Sequence, residues 1–156
     1  MIKTLPFEVR LSSVHGSGVF ATQRISKGKR IIEYTGERIN SDEADARYAD
    51  DHGEHPLVLL FTVNKQIFID AAVGGNESRF INHSCQPNCE AVNAGGRIFI
   101  QSLRPIEPGE ELSYDYNLEL EEGDNQDKDR YLCLCGTTNC RGTMLSPSSL
   151  TGRISK

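Results

Sequence analysis

The sequence predicts a mostly β domain of short strands, with one short helix and a cysteine-rich C-terminal segment. Stretches rich in β-branched and aromatic residues recur between Gly, Asn and Pro punctuation at 7–14, 29–34, 57–63, 66–71, 97–103 and 111–116. A single segment, Ser41 to Asp51, carries helix formers. Cys133, Cys135 and Cys140 crowd near the end of the chain.

Taken in order, Phe7 to Val14 and Lys29 to Tyr34 read as strands separated by glycine-containing loops. The helix is predicted from Asn40 and Glu43, which form a capping-box pattern, and from Ala44, Ala46 and Ala49 ahead of Gly53. Leu57 to Val63 and Gln66 to Ala71 are expected to form a hairpin through Asn64 and Lys65. A second hairpin connection is expected at Asn93-Ala94-Gly95-Gly96, ahead of the strand Arg97 to Leu103. Glu111 to Tyr116 is the last expected strand. Charge then dominates residues 119–130, which read as a solvated connector, and residues 147–156 read as a flexible tail.

A length of 156 residues suits one domain with short appendages. No run approaches the ~18 apolar residues a membrane span needs, and Pro6, Glu8 and Arg10 interrupt any secretory pattern at the N-terminus. The net charge of −5 argues against a primary nucleic-acid binder and suits a basic substrate. An intracellular setting is expected: cytoplasmic in a bacterium, nuclear or inside a host cell otherwise.

Five cysteines are an odd count, so a complete disulfide framework would leave one thiol over. Cys133, Cys135 and Cys140 fit a structural zinc better; Gly136 is able to fold Cys140 back toward the others. Such a site wants four ligands, and Cys85 and Cys89 are the remaining thiols. Between Arg79 and Cys89 the chain gathers two Asn, a His and two Cys around Pro87. Residue by residue, Asn82 and Asn88 read equally well as turn formers, and His83 as a hydrogen-bonded structural residue. Gly16-Ser17-Gly18 lets a ligand approach the backbone but lacks the third glycine of a dinucleotide fingerprint. Tyr114 and Tyr116 share one face of an extended strand, an arrangement that sheet packing alone explains as readily. His52-Gly53-Glu54-His55 has no third ligand nearby and reads as a solvated loop.

In this order and combination the motifs resemble the SET domain family of protein lysine methyltransferases. They are His15 to Ala21, Glu33-Tyr34-Thr35-Gly36-Glu37, Arg79 to Cys89 and Glu110 to Tyr116, with Cys133 to Gly142 similar to the family's post-SET segment. The resemblance implies a β-clip-like fold of short sheets with a knot-like active site. It divides the chain into a catalytic domain at 1–118, the connector, a zinc-bound post-SET segment at 131–146 and the tail.

The resemblance further implies S-adenosylmethionine as cofactor, with S-adenosylhomocysteine as product. The backbone of Gly16, Ser17, Gly18, Val19 and Phe20 would hold it, Asn82 would meet its methionine end and the His83 backbone its adenine. Arg79, Phe80, Met144 and Leu145 would flank the pocket. Tyr116 matches the active-site tyrosine, Tyr114 the position that governs methylation state, and Tyr34 a wall of the lysine channel. Leu59 stands where some relatives have a channel tyrosine. Cys85 matches the fourth ligand of one structural zinc, with Cys133, Cys135 and Cys140. The implied substrate is a lysine in a protein, a histone tail among the candidates, with no nucleic acid or membrane as partner. The rival reading is a catalytically weak SET module that binds lysine-containing peptides.

Overall fold

The computed structural model describes residues 4–48, 59–119 and 131–147. The expected segments at Leu57–Val58, 119–130 and 147–156, like His52 to His55, therefore lie wholly or largely outside the described residues.

The chain runs through β1 (Phe7–Leu11), β2 (Ser17–Ala21), β3 (Arg30–Tyr34), β4 (Glu37–Asn40), α1 (Ser41–Tyr48), β5 (Leu60–Thr62) and β6 (Ile67–Asp70). A 3-10 turn at Glu77–Phe80 leads into β7 (Asn82–His83), β8 (Cys89–Ala94), β9 (Arg97–Ser102) and β10 (Ser113–Tyr114). These strands make four small sheets: β1-β2, β3-β9-β8, β4-β6-β5, and the parallel pair β7-β10. The remaining strand pairs are antiparallel. The β7-β10 ladder brings the two segments together, with Ser113 opposite Asn82 and Tyr114 opposite His83.

One core gathers Phe7, Val19, Ile25, Ile81, Ile100, Ile106 and Leu112 from both ends of the chain. A second contains Tyr34, Ile69, Ala71 and Ile98. Phe61 and Ala91 pack against both and join them. The N-terminal hairpin is tied to the C-terminal half by backbone bonds, Leu112 N–H to the Val19 carbonyl at 2.7 Å and Ala21 N–H to Glu110 at 2.9 Å. Ile25 and Ile106, both fully buried, form an isolated antiparallel bridge alongside.

Both expected hairpins are present. Asn64 Oδ1 accepts from the Gln66 and Ile67 amides at 2.9 Å, closing the turn between β5 and β6. Gly95 and Gly96, at φ 63° and 87°, make the two-residue connection from β8 to β9, a geometry that favours glycine at both positions.

The capping box is also formed. Glu43 N–H donates to Asn40 Oδ1, and Asn40 N–H to Glu43 Oε2, each at 2.9 Å. Beyond its N-terminus α1 is held by Asp70, whose buried carboxylate accepts from Arg47 Nη1, the Tyr48 hydroxyl and the Ala72 amide, each at 2.9 Å. A charge this deep is tolerated because every donor it needs is supplied.

Several elements differ from the sequence expectation. The strand from Phe7 stops at Leu11 because Ser12 N–H turns to the Gly16 carbonyl, and Gly16 takes φ 47°. Strands β2, β4, β7 and β8 contain Gly, charged or Asn-rich sequence and carried no strand pattern of their own; partners across the sheet impose the extended conformation. The last expected strand shortens to β10 because its flanking amides bond elsewhere: Leu112 to Val19 and Tyr116 to the His83 ring.

A Cβ on Gly36 would collide with the Asp70 carbonyl and the Ala71 amide. Gly36→Ala should therefore lower the unfolding free energy by about 1–3 kcal/mol, read as a drop in the urea midpoint. Parental stability would mean that the β4-β6 edge shifts freely.

Candidate functional site

Four aromatic rings line up through the centre of the molecule. Tyr34 and Phe61 have centroids 5.2 Å apart, Phe61 and Tyr114 6.3 Å, and Tyr114 and Tyr116 4.9 Å. The alternation expected along 114–116 thus places both tyrosines on one face. A groove of about 640 Å³ is lined by Phe61, Thr62, Tyr114, Tyr116 and Leu118, among others. The free edge of β5 contributes Leu60 to Thr62 to this wall.

Two hydroxyls in the row donate to backbone carbonyls. Tyr116 donates to Ile81 at 2.6 Å, and Tyr34 to Leu59 at 2.8 Å. Leu59, at the position of a possible channel tyrosine, thus takes part through its backbone, while its side chain packs on the second core. Burial pushes the phenols of Tyr34, Tyr114 and Tyr116 well above their ordinary range, the nearby Asp70 carboxylate adding to the effect at Tyr34. These hydroxyls are neutral at physiological pH and unsuited to act as bases.

On the β7 side, Asn82 Nδ2 lies 3.2 Å from the His15 carbonyl, 3.0 Å from that of Ser17 and 2.9 Å from Glu111 Oε1. Glu111 is itself fixed by the Ser12 hydroxyl at 2.8 Å. Beside this acceptor-rich recess is a cavity of about 210 Å³ lined by Asn82, His83, Ser84, Glu111, Cys135 and Thr137, among others. A Cβ on Gly18 would meet the Glu111 carboxylate, which explains the glycine there. Farther along β2, the Val19 carbonyl and Ala21 amide are committed to the core ladder and Val19 is buried. The backbone that faces Asn82 is that of His15 to Ser17. Phe20 lies under the Arg10 guanidinium at 4.0 Å, and Arg79 lies over the Phe80 ring at 4.8 Å.

His83 joins the two sides. Its Nδ1 accepts the Tyr116 backbone N–H at 3.0 Å, and its Nε2 lies 3.4 Å from Cys85 Sγ. Burial lowers its pKa to about 4 against the opposing pull of Asp115, with Arg141 adding to the lowering. The ring is neutral, and its acceptor role at Nδ1 assigns the proton to Nε2.

The sulfurs of Cys85, Cys133, Cys135 and Cys140 all lie within 4.8 Å of one another, with Cys85 and Cys133 3.6 Å apart. A tetrahedral zinc with thiolates near 2.3 Å needs sulfurs about 3.8 Å apart, so the set fits that ion. Backbone amides of Cys135, Arg141 and Gly142 donate to Cys133, Cys85 and Cys140 at 3.4, 3.4 and 3.3 Å, which favours thiolates. Cys89 is excluded from the cluster: it is buried in the first core, where desolvation pushes its thiol up to about 12. Thr143 to Ser146 return to the segment after β10 through Leu118: Ser146 N–H reaches the Leu118 carbonyl at 2.8 Å, and Leu118 N–H that of Met144 at 3.4 Å. Leu145 is fully buried.

Sequence reasoning missed Phe61, Glu111, Asp115 and Arg141. Glu111 and Asp115 stood inside a quoted motif without a role, and Arg141 directly follows Cys140. Phe61 lay in an expected strand whose alternation put it on the face opposite Leu60 and Thr62.

Stability carried by the three buried phenols is intact below pH ~10 and is lost as pH rises above the unfolded-state value, because the unfolded chain releases those protons first. An ultraviolet titration should show these phenolates appearing only together with loss of far-ultraviolet dichroism. Ionisation of all three in the folded chain near pH ~10 would contradict the burial argument.

Residues 16–117 match the SET domain family. Over 148 residues, 88% of this chain and 11% of the relative, the sequence is 41% identical to a protein of Aspergillus oryzae named histone-lysine N-methyltransferase, H3 lysine-4 specific. A protein of the same name from Saccharomyces cerevisiae is 42% identical over 139 residues, 84% of this chain and 12% of the relative. Histone-lysine N-methyltransferase trithorax of Drosophila virilis is 40% identical over 136 residues, 83% of this chain and 3% of that protein. The chain thus spans about a tenth or less of the length of these relatives. With a match over residues 16–117, the chain belongs to the SET domain family.

Proposed function

We propose that this chain transfers methyl groups from S-adenosylmethionine to the side-chain nitrogen of a lysine in a protein, and that its substrate is a histone tail. The carrying observation is the row Tyr34, Phe61, Tyr114 and Tyr116, which leads from an open groove to the strand pair whose other face holds the Asn82 recess. The names of the relatives favour lysine 4 of histone H3, and the net charge of −5 suits a basic tail. That substrate would place the activity in a nucleus. Among the described residues no helix is long and apolar enough to cross a membrane.

When bound, S-adenosylmethionine supplies an electrophilic methyl group on a sulfonium. The carbonyls of His15 and Ser17 with the Glu111 carboxylate suit the ammonium at its methionine end, and Asn82 orients that end. Gly16, Ser17 and Gly18 let the backbone come close, with Val19, Phe20, Arg79 and Phe80 shaping the surroundings. The His83 backbone would meet the adenine, with Met144 and Leu145 beside it.

The lysine must react as a neutral amine, although its ordinary pKa is ~10.4. Enclosing its aliphatic stem among the four rings strips water from the ammonium and favours loss of the proton. Tyr116 has its hydroxyl hydrogen committed to Ile81, so the oxygen lone pairs face a cationic centre as donors of negative potential. Tyr114 sets the space left beside the amine and hence how many methyl groups fit. Because all three phenols stay protonated, none serves as general base, and proton loss goes to water.

Incubation with labelled cofactor and an H3-tail peptide should label one lysine. Failure on that peptide, with labelling of another lysate protein, would reject the histone while keeping the chemistry; no labelled protein at all would reject the chemistry. Tyr116→Phe should cost about a hundredfold in rate at every methylation step. Tyr114→Phe should retain the first transfer and shift the product toward higher methylation, read by mass spectrometry. An unchanged product distribution in the folded variant would remove Tyr114 from the channel.

The four-cysteine cluster is proposed to hold one zinc. Purified protein should contain one equivalent, retained in Cys89→Ala and lost in Cys133→Ser. Chelation should abolish activity while most of the β dichroism survives, since the metal joins the post-SET segment to Cys85 without entering the sheets. Full activity with no bound metal would refute the assignment.

A further inference from the structure

Arg141 makes more contacts than any role above requires. Its Nη1 and Nη2 donate to Asp115 Oδ2 and Oδ1 at 2.8 and 3.1 Å, a two-pronged pair. Nη2 also reaches the Leu145 carbonyl at 3.3 Å, and the backbone amide of Arg141 donates to Cys85 Sγ at 3.4 Å. The two side chains are only 20% and 24% exposed. Its Nε is buried without a hydrogen-bond partner among the described residues, a cost that a loosely placed surface arginine would avoid by moving into solvent.

Asp115 is placed with equal care. It stands between Tyr114 and Tyr116, so alternation turns it away from the ring row, and its Oδ1 also accepts the Asn117 amide at 3.0 Å. That bond supports the turn after β10, where Asn117 takes a φ of 48°. One carboxylate thus connects the tyrosine-bearing strand to the C-terminal segment.

The cysteine cluster alone leaves a gap in the way this segment is held. Its last ligand is Cys140, and residues 143–146 lie beyond it. They are held by the Leu118 backbone, by the Tyr131 carbonyl that accepts from the Met144 amide, and by Arg141 through Leu145. Of these, Arg141 is the side chain that ties this return directly to the segment carrying Tyr114 and Tyr116.

We propose that Asp115 and Arg141 form a latch that holds Met144 and Leu145 against the segment carrying Tyr114 and Tyr116, so that the pair sets cofactor retention separately from metal binding. The inference rests on the cofactor reading given above. Exposed ion pairs contribute little, but this one has the two-pronged geometry, restricted exposure and additional carbonyl contact that make such pairs count. Both are positioning residues: neither touches the reacting atoms.

The test compares Arg141→Gln, Asp115→Asn, the double variant and Arg141→Lys in the full chain with metal bound. In Arg141→Gln the metal content and the melting temperature of the sheets should hold. Amide exchange at 143–146 should accelerate about tenfold, KM for S-adenosylmethionine should rise about tenfold, and kcat at saturating cofactor should change less than about threefold. Asp115→Asn should match it, the double variant should be no worse than either single one, and Arg141→Lys should recover part of the loss. Additive losses, loss of the metal in Arg141→Gln, or unchanged exchange and KM would each overturn the latch. If the parent neither binds the cofactor nor transfers methyl groups, the methyltransferase reading fails. The exchange measurement still decides whether the pair holds 143–146.

Discussion

The site depends on a parallel ladder only two residues long, Asn82 and His83 against Ser113 and Tyr114. So short a pairing cannot hold itself together, and the structure supports it with a side chain acting in place of a third strand. Asn88, buried, donates from Nδ2 to the Glu111 carbonyl at 2.8 Å and accepts the Ser113 amide at Oδ1 at 2.9 Å. The amide group satisfies backbone donors and acceptors that would otherwise be orphaned in the interior. With the ladder fixed, one strand presents tyrosines to the groove, the other presents Asn82 to the recess, and the His83 ring spans the gap to the cysteines.

Around that ladder, the buried rings carry no charge and the carboxylate of Asp115 is paired. The phenols lie where water is excluded and remain neutral, so the ring row itself offers polarisable rings and oxygen lone pairs without a formal charge. Of the charged residues near the ladder, Glu111, Asp115 and Arg141 each have a partner. A carboxylate inside the ring row would hold a lysine as its ammonium by Coulomb attraction, the form that cannot attack. Asp115, next to the tyrosines in sequence and at the border of the groove, has both carboxylate oxygens committed to Arg141.

The parts of the molecule legible in the sequence were those whose physics is local. The Asn40 and Glu43 cap, the Asn64 turn and the Gly95-Gly96 connection are decided within four residues, and each formed as read. The cysteine cluster was legible because thiols are few and their chemistry narrow. Strands β2, β4, β7 and β8 were not, because their extended form is imposed by partners distant in the chain. Gly18, for example, is required by Glu111, a residue it meets only after folding. Phe61 and Arg141 escaped notice for a related reason: an aromatic in a strand and an arginine after a cysteine are ordinary until the fold shows what they face. The order of the motifs supplied what local reading lacked, since it carried the topology along with the residues.

The bond between Ser12 and Glu111 joins residues 99 positions apart, and the first core likewise mixes the N-terminal hairpin with Ile106 and Leu112. During synthesis the hairpin emerges long before its partners and waits with Val19 and Ala21 unshielded. Contacts of such separation form slowly, because loop closure must be completed before they contribute. The cysteine-rich segment follows later still. The four cysteines therefore come together among the last events of assembly, and a ribosome-bound chain lacking residues beyond 131 would hold Cys85 with none of its three companions.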